Sequence, residues 1–292
     1  MRKIRNVLSL FDGISCGRVA LERVGLEYQN YYASEIDKYA IQIAQNNFPN
    51  TIQLGDVKKW RDWDLPPIDL LMGGSPCQGF TFTGKQLNFD DPRSKLFFEF
   101  VDILNHYKPK YFLLENVIMK QEYQDIISDY LGVQPIKINS ALVSAQNRNR
   151  LYWTNIPDIS QPLDKEIILK DVLEDDESIE SFVNYYDIMK PVKSKSNRVG
   201  ILGNGGQGNR IYDTNKKSVT LMAESGGKGS KTGLYLTGQK IVRKLMPNEC
   251  ERLQNLPDNY TEGVSNNQRY KMLGNGWTVD VIAHILSFIP QS

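Results

Sequence analysis

The sequence predicts an α/β fold: a mostly parallel sheet covered by helices, followed by a smaller second domain. Short apolar runs at 7–11, 31–36, 51–54, 69–72, 111–114 and 135–138 are separated mostly by helical patterns, and such alternation gives parallel strands with helical crossovers. Asp12, Glu35, Asp56, Cys77 and Glu115 each fall at or just beyond the end of one of five successive runs, where open α/β sheets bind their ligands. From about 155 to 240 the periodicity fades and glycine-rich, basic sequence replaces it.

The first run leads into Asp12-Gly13-Ile14-Ser15-Cys16-Gly17. Glycine lets a backbone approach a ligand, and the following helix start offers unpaired N–H groups to a carboxylate. The spacing is not that of a dinucleotide-binding turn. Glu35 closes the second run about twenty residues on, where an acid binds ribose hydroxyls in nucleoside-binding folds. Asp56 follows the third run and could accept an adenine amino group. The fourth run opens into Gly73-Gly74-Ser75-Pro76-Cys77-Gln78-Gly79-Phe80, which sets a cysteine in an accessible turn. A nucleophilic cysteine needs its thiolate favoured by a helix start or a cation. The helix expected at 94–107 shows Leu96, Phe97, Phe100, Val101 and Leu104 on one face,. The fifth run ends in Glu115-Asn116-Val117, a carboxylate able to act as proton donor. In Gln146-Asn147-Arg148-Asn149-Arg150, arginines two apart on a strand share a face and could enter one pocket. Helices are expected again at 247–255 and 277–289, the last with a stripe of Val279, Ile282, Ala283 and Leu286 that would pack on the first domain.

The 292 residues are 40% hydrophobic and 24% charged, ordinary for a globular chain. No apolar run approaches the roughly 18 residues that span a bilayer, and the N-terminus lacks a signal-peptide core, so no membrane partner is expected. Cys16, Cys77 and Cys250 are scattered and form no C-x-x-C, and His106 and His284 lie far apart. This argues against a metal site and for reduced thiols inside a cell, and both histidines are read as structural. The net charge is +1, yet between Lys190 and Arg243 eleven lysines and arginines face only Asp213 and Glu224. A basic block in a neutral chain suits a polyanion, although a solvated linker would show the same composition.

Taken together the motifs resemble the cytosine-C5 DNA methyltransferase family over nearly the whole chain. In the family's order they are Phe11-Asp12-Gly13, Glu35, Gly55-Asp56-Val57, Gly74-Ser75-Pro76-Cys77-Gln78, Glu115-Asn116-Val117, Gln146-x-Arg148-x-Arg150, Arg243-x-Leu245-x-Pro247-x-Glu249 and Gly274-Asn275-Gly276. The stretch 93–100 is also similar to the vertebrate de novo methyltransferases, and 78–85 to bacterial restriction-modification enzymes.

The resemblance implies a Rossmann-like S-adenosylmethionine-dependent sheet at 1–155 plus 243–292, with a target-recognition domain at 156–242. It implies Cys77 as the nucleophile on C6 of a flipped cytosine, Glu115 at N3, Arg150 at O2 and Arg148 supporting the pocket. The cofactor residues carried over are Phe11, Asp12, Gly13, Ile14, Ser15, Glu35, Ile36, Asp56, Val57, Pro76, Leu96, Asn275, Gly276 and Trp277. Ile36 stands where the family often has an aromatic. The segment 78–93 resembles the family's mobile loop, with Gly79 and Gly84 as hinges, and Ser218-Val219-Thr220-Leu221-Met222-Ala223 resembles the recurring Thr-Leu-x-Ala of the recognition domain. The implied partner is double-stranded DNA, bound by a monomer in the cytoplasm of a bacterial or phage-infected cell, at the nucleoid. The rivals are a tRNA cytosine-C5 methyltransferase, whose Cys-Phe-Thr signature is absent here, and an inactive binding scaffold, against which Pro76-Cys77 and Glu115 argue.

Overall fold

The computed structural model describes residues 4–75, 95–194, 196–223, 228–229 and 233–290. By packing density the chain divides into two units, one of residues 1–139, 149–161 and 281–292, the other of 140–148 and 162–280.

The first unit is the expected α/β layer. Its strands are β1 (Asn6–Leu10), β2 (Asn30–Ser34), β3 (Ile52–Gln53), β4 (Leu70–Gly73), β5 (Tyr111–Val117), β6 (Ile136–Asn139) and β7 (Asn149–Thr154), ordered β3-β2-β1-β4-β5-β7-β6. The first five are parallel to one another, while β7 runs antiparallel to both β5 and β6. All five residues of β1 are buried, which is why this central strand reads as a near-continuous apolar run without alternation. Four helices connect these strands: α1 (Cys16–Arg23), α2 (Lys38–Asn47), α3 (Lys95–Tyr107) and α4 (Gln121–Leu131). Asp37 starts α2 by accepting from the Tyr39 N–H at 3.0 Å, a side-chain cap for an otherwise unpaired donor. The apolar face of α3 buries Phe97, Phe100, Val101 and Ile103 against Leu8, Leu10, Leu71 and Leu114 of the sheet. At roughly 25 cal/mol per Å² of apolar surface, such side chains supply the main driving force of the layer.

The second unit holds a five-stranded sheet, β8 (Lys190–Pro191), β9 (Arg198–Ile201), β10 (Arg210–Asp213), β11 (Leu234–Gly238) and β12 (Ile241–Arg243), in the order β12-β11-β10-β9-β8. Leu202, Ile211, Leu234 and Val242 form its small apolar core. Two helices, α5 (Pro247–Leu253) and α6 (Asn266–Asn275), belong to it. Its densest feature is ionic. Arg243 is fully buried and grips buried Glu249 at both ends, Nη2 to Oε1 at 2.8 Å and Nη1 to Oε2 at 3.0 Å. Arg243 Nε also donates to Asp176 at 2.6 Å, and Glu249 Oε2 accepts from the Met246 N–H ahead of Pro247. The motif Arg243-x-Leu245-x-Pro247-x-Glu249 is therefore a strand-to-helix lock, with proline in the first turn and a carboxylate at the third helical position.

The last helix, α7 (Val279–Leu286), joins the first unit from Val281 onward. The segment 140–148 and the helices between Pro247 and Asn275 group with the second sheet. Among the described residues no helix is long and apolar enough to cross a membrane.

Candidate active site

The chain leaves β1 through a turn that enters the left-handed region at alternate residues: Phe11, Gly13 and Ser15 have φ of 56°, 57° and 60°. Glycine accepts this freely, whereas Phe11 and Ser15 store strain, a feature that clusters at functional sites. Neighbouring groups hold the turn. The Asp12 N–H donates to Ser34 O at 3.1 Å and the Gly13 N–H to Glu35 Oε2 at 2.8 Å. The Asp12 carboxylate turns inward, accepting from the Tyr31 hydroxyl at 2.7 Å and from the Ser15 hydroxyl. Burial pushes the Asp12 carboxyl above the usual carboxylate range even though these hydroxyls oppose the shift,. Both of its oxygens thus brace the turn.

Glu35, directly after β2, accepts from the Gly13, Ile36 and Asp37 N–H groups at 2.8, 2.7 and 2.9 Å. A carboxylate has about four acceptor positions, so roughly one remains for a ligand hydroxyl. Ile36 beside it is 74% exposed, an unusual position for a large apolar side chain, and a Cβ at Gly13 would meet nothing within 4 Å. Asp56, after β3, caps the turn Val57–Asp62 by accepting from the Lys58 N–H at 3.0 Å. Ile14, Ser15 and Val57 are buried, and Leu96 is half-buried on α3 against the core. One rim of the first unit therefore joins a fixed carboxylate, an open apolar surface and a left-handed glycine.

The next strands along that rim carry a second group. Arg150 Nε donates to Glu115 Oε1 at 2.9 Å, the two side chains 14% and 12% exposed. Glu115 faces Tyr152 across β5 and β7, and Arg150 faces Val117, so the pair is diagonal on one face of the sheet. Beside it, buried Asn116 turns the other way: its Nδ2 donates to Ser75 Oγ at 3.3 Å, and its Oδ1 accepts from the Val117 N–H at 2.8 Å. Pro76, Cys77 and the segment 78–93, with Gly79 and Gly84, lie outside the described residues.

The paired arginines do not share a strand. β7 begins at Asn149, and Arg148 belongs to the second unit. Its guanidinium, on a residue 3% exposed, donates to the carbonyls of Leu221, Gly274 and Gly276 at 3.0, 3.1 and 2.8 Å. The expectation that both arginines share a strand face is corrected, because the period of two applies only from Asn149. Arg148 instead stitches the Thr220-Leu221-Met222-Ala223 segment to Gly274-Asn275-Gly276. A Cβ at Gly274 would stand 2.3 Å from the backbone of Met222 and Ala223, so only glycine permits the contact. Asn275 is exposed and Gly276 and Trp277 are half-buried in this second unit.

Sequence reasoning missed Tyr31, Ser75 and Asn116 as site residues. Ser75 and Asn116 stood inside motifs already noted, and their neighbours drew the attention. His106 packs on the Trp60 ring at 5.1 Å, and His284 Nε2 lies 2.7 Å from Ser160 O. Among the described residues no group of three His, Cys, Asp or Glu could hold a metal ion.

Comparison with known proteins decides the family. The family model described as C-5 cytosine-specific DNA methylase matches residues 5–291. The chain belongs to this family. The methylase is 33% identical to the Type II methyltransferase M.HhaI of Haemophilus parahaemolyticus, over 98% of its own length and 94% of that protein's. It is 30% identical to the Type II methyltransferase M1.ScrFI of Lactococcus lactis subsp. cremoris, covering 94% of this methylase and 75% of the relative. Among solved structures, the Entamoeba histolytica methyltransferase EhMeth shares the fold with a TM-score of 0.76 at 20% identity, covering 99% of the methylase and 98% of that chain. The mixed α/β architecture expected from the sequence is thus the architecture of a methyltransferase fold.

Proposed function

We propose that this chain transfers a methyl group from S-adenosylmethionine to C5 of a cytosine flipped out of a short, specific double-stranded DNA sequence. The Glu115–Arg150 pair carries this reading. A carboxyl group and a guanidinium 2.9 Å apart on one sheet face match the N3 and O2 edge of cytosine, in a chain whose family acts on that base.

Cytosine C5 is a poor nucleophile, so the ring must first be activated. The Cys77 thiolate adds to C6, forming a C–S bond and moving the C5–C6 π pair toward C5. Glu115 donates a hydrogen bond or proton at N3 so that charge does not build up in the ring, and Arg150 holds O2. S-adenosylmethionine, when bound, supplies the methyl group on a sulfonium. After C5 takes the methyl, a base or water removes the C5 proton, the C6–S bond breaks and the thiolate leaves. Saturating C6 is incompatible with a stacked base, so the cytosine must leave the duplex. The rim described above fits the cofactor: Glu35 would hold the ribose, exposed Ile36 would cover adenine, and the Gly13 turn would approach the amino-acid tail. Asn275, Gly276 and Trp277, with Pro76 and Leu96, complete the set by family resemblance. Arg148 acts indirectly, by holding the segments it stitches.

Tritium transfer from labelled S-adenosylmethionine to duplex DNA and to tRNA tests the reading, and bisulfite sequencing of the modified DNA then gives the site. Label in DNA at cytosines of one short sequence is expected. Label in tRNA alone would support the RNA reading, and label in neither would support an inactive scaffold.

The recognition unit gives a further expectation. Lys190, Lys193, Lys216, Lys228 and Lys240 of the basic block are exposed. Arg243 is buried in its ion pairs and Lys217 is tied to the carbonyls of Ala141 and Ser144. If these five exposed lysines neutralise phosphates, log affinity falls with log salt at a slope of about −4.5, or about 500-fold between roughly 50 and 200 mM. Fluorescence anisotropy with a labelled duplex measures this, and flat binding would remove the phosphate role of the block.

A further inference from the structure

We propose that Ser75 and Asn116 form a positioning tether that couples the nucleophile's strand end to the base-binding carboxylate. This deepens the reading above and rests on it. Both residues are nearly fully buried, at 5% and 1% exposure, and both stand at the rim where β4 and β5 end side by side. Asn116 Nδ2 donates to Ser75 Oγ at 3.3 Å, while Asn116 Oδ1 is already used by the Val117 N–H at 2.8 Å. With one end of its amide fixed to its own strand, Asn116 has a restricted orientation, and its free end reaches across to β4. The parallel ladder between the strands runs from Leu70 against Tyr111 to Gly73 against Leu114. The side-chain bond thus extends the connection past the last backbone pair.

The sequence gives this bond its meaning. Ser75 is two residues before Cys77, and Asn116 directly follows Glu115. Ser75 also precedes Pro76, which restricts Ser75 to extended backbone. The two groups that must meet C6 and N3 of one ring are therefore set from strands joined at this point. Neither Ser75 nor Asn116 needs to touch the base. A buried amide left without its partner is costly, so the bond also has a structural value, and the experiment must separate the two roles.

Ser75→Ala removes a single oxygen and is the primary variant, with Ser75→Thr restoring a hydroxyl. Single-turnover methyl transfer and the rate of covalent trapping on a duplex bearing 5-fluorocytosine are measured beside cofactor and DNA dissociation constants and thermal melting. A misplacement of the nucleophile of about an ångström lowers both rates about 10- to 100-fold, with both dissociation constants held within about twofold. Ser75→Thr is expected to recover most of the rate. The double variant Ser75→Ala/Asn116→Ala should be no slower than Asn116→Ala alone, since both changes remove one interaction. Wild-type rates in Ser75→Ala, or losses that follow the melting temperature and are additive in the double variant, overturn the tether while leaving the methyltransferase reading intact. A wild-type chain that labels neither DNA nor tRNA overturns that reading, and the tether with it.

Discussion

Under the proposed mechanism, Cys77→Ala will show no methyl transfer to DNA above background, a loss on the order of 10⁴-fold or more. The reason is the electronic character of the substrate. Without sulfur on C6, C5 has no enamine electron pair to offer, and the Glu115–Arg150 pair can bind a cytosine without activating it. The other two cysteines cannot take over. Cys16 and Cys250 are buried, and burial, with Glu249 and Glu251 adjacent, pushes the Cys250 thiol well above its usual range. A buried neutral thiol is inert. Tritium transfer under single-turnover conditions measures the loss, and DNA affinity should survive, because phosphate contacts do not depend on the thiol. A duplex with fluorine at C5 of the target adds a second readout. Fluorine cannot leave as a proton does, so the wild-type chain accumulates a stable adduct and Cys77→Ala forms none. Turnover by the alanine variant at the wild-type rate would refute the nucleophile.

The second large effect concerns stability. Glu249→Ala should destabilise the chain by about 3–5 kcal/mol, because it leaves Arg243 charged, buried and without its bidentate partner. The lock is dense: Glu249 accepts from both ends of the guanidinium and from the Met246 and Glu174 N–H groups. Glu249→Gln keeps the shape while removing the charge, and its loss should lie between wild type and alanine. Urea titration followed by tryptophan fluorescence reads both. Glu249→Ala with an unchanged midpoint would mean that Asp176 alone satisfies Arg243.

These two expectations differ in how visible their grounds were in the sequence. The parallel layer was legible because buried strands such as Asn6–Leu10 need near-continuous apolar runs, and α3 was legible because its apolar residues recur on one face. Helix α6 was not, since Asn266–Asn275 is mostly polar and is anchored by Tyr270, Met272 and Leu273. The strand-end acids were found at the right edge, but β5 continues to Val117, which places Glu115 inside the strand. Side-chain bonds between distant segments leave no period to read. Asn116 to Ser75 and Arg148 to three carbonyls follow from tertiary geometry alone, as does the position of Arg148 outside β7. The Arg243–Glu249 lock was recognised as a pattern and not as an ion pair.

The reversed direction of β7 has an engineering consequence. A parallel strand in its place would begin at the far edge of the sheet, so a residue near its start, as Arg150 is, could not reach the end of β5. Running backwards, β7 delivers its opening residues to the rim where its neighbour finishes, with Arg150 opposite Val117. The two halves of the grip thus meet at one rim although α4 and β6 lie between them in sequence. A slip of one residue in β7 would turn Arg150 to the opposite face.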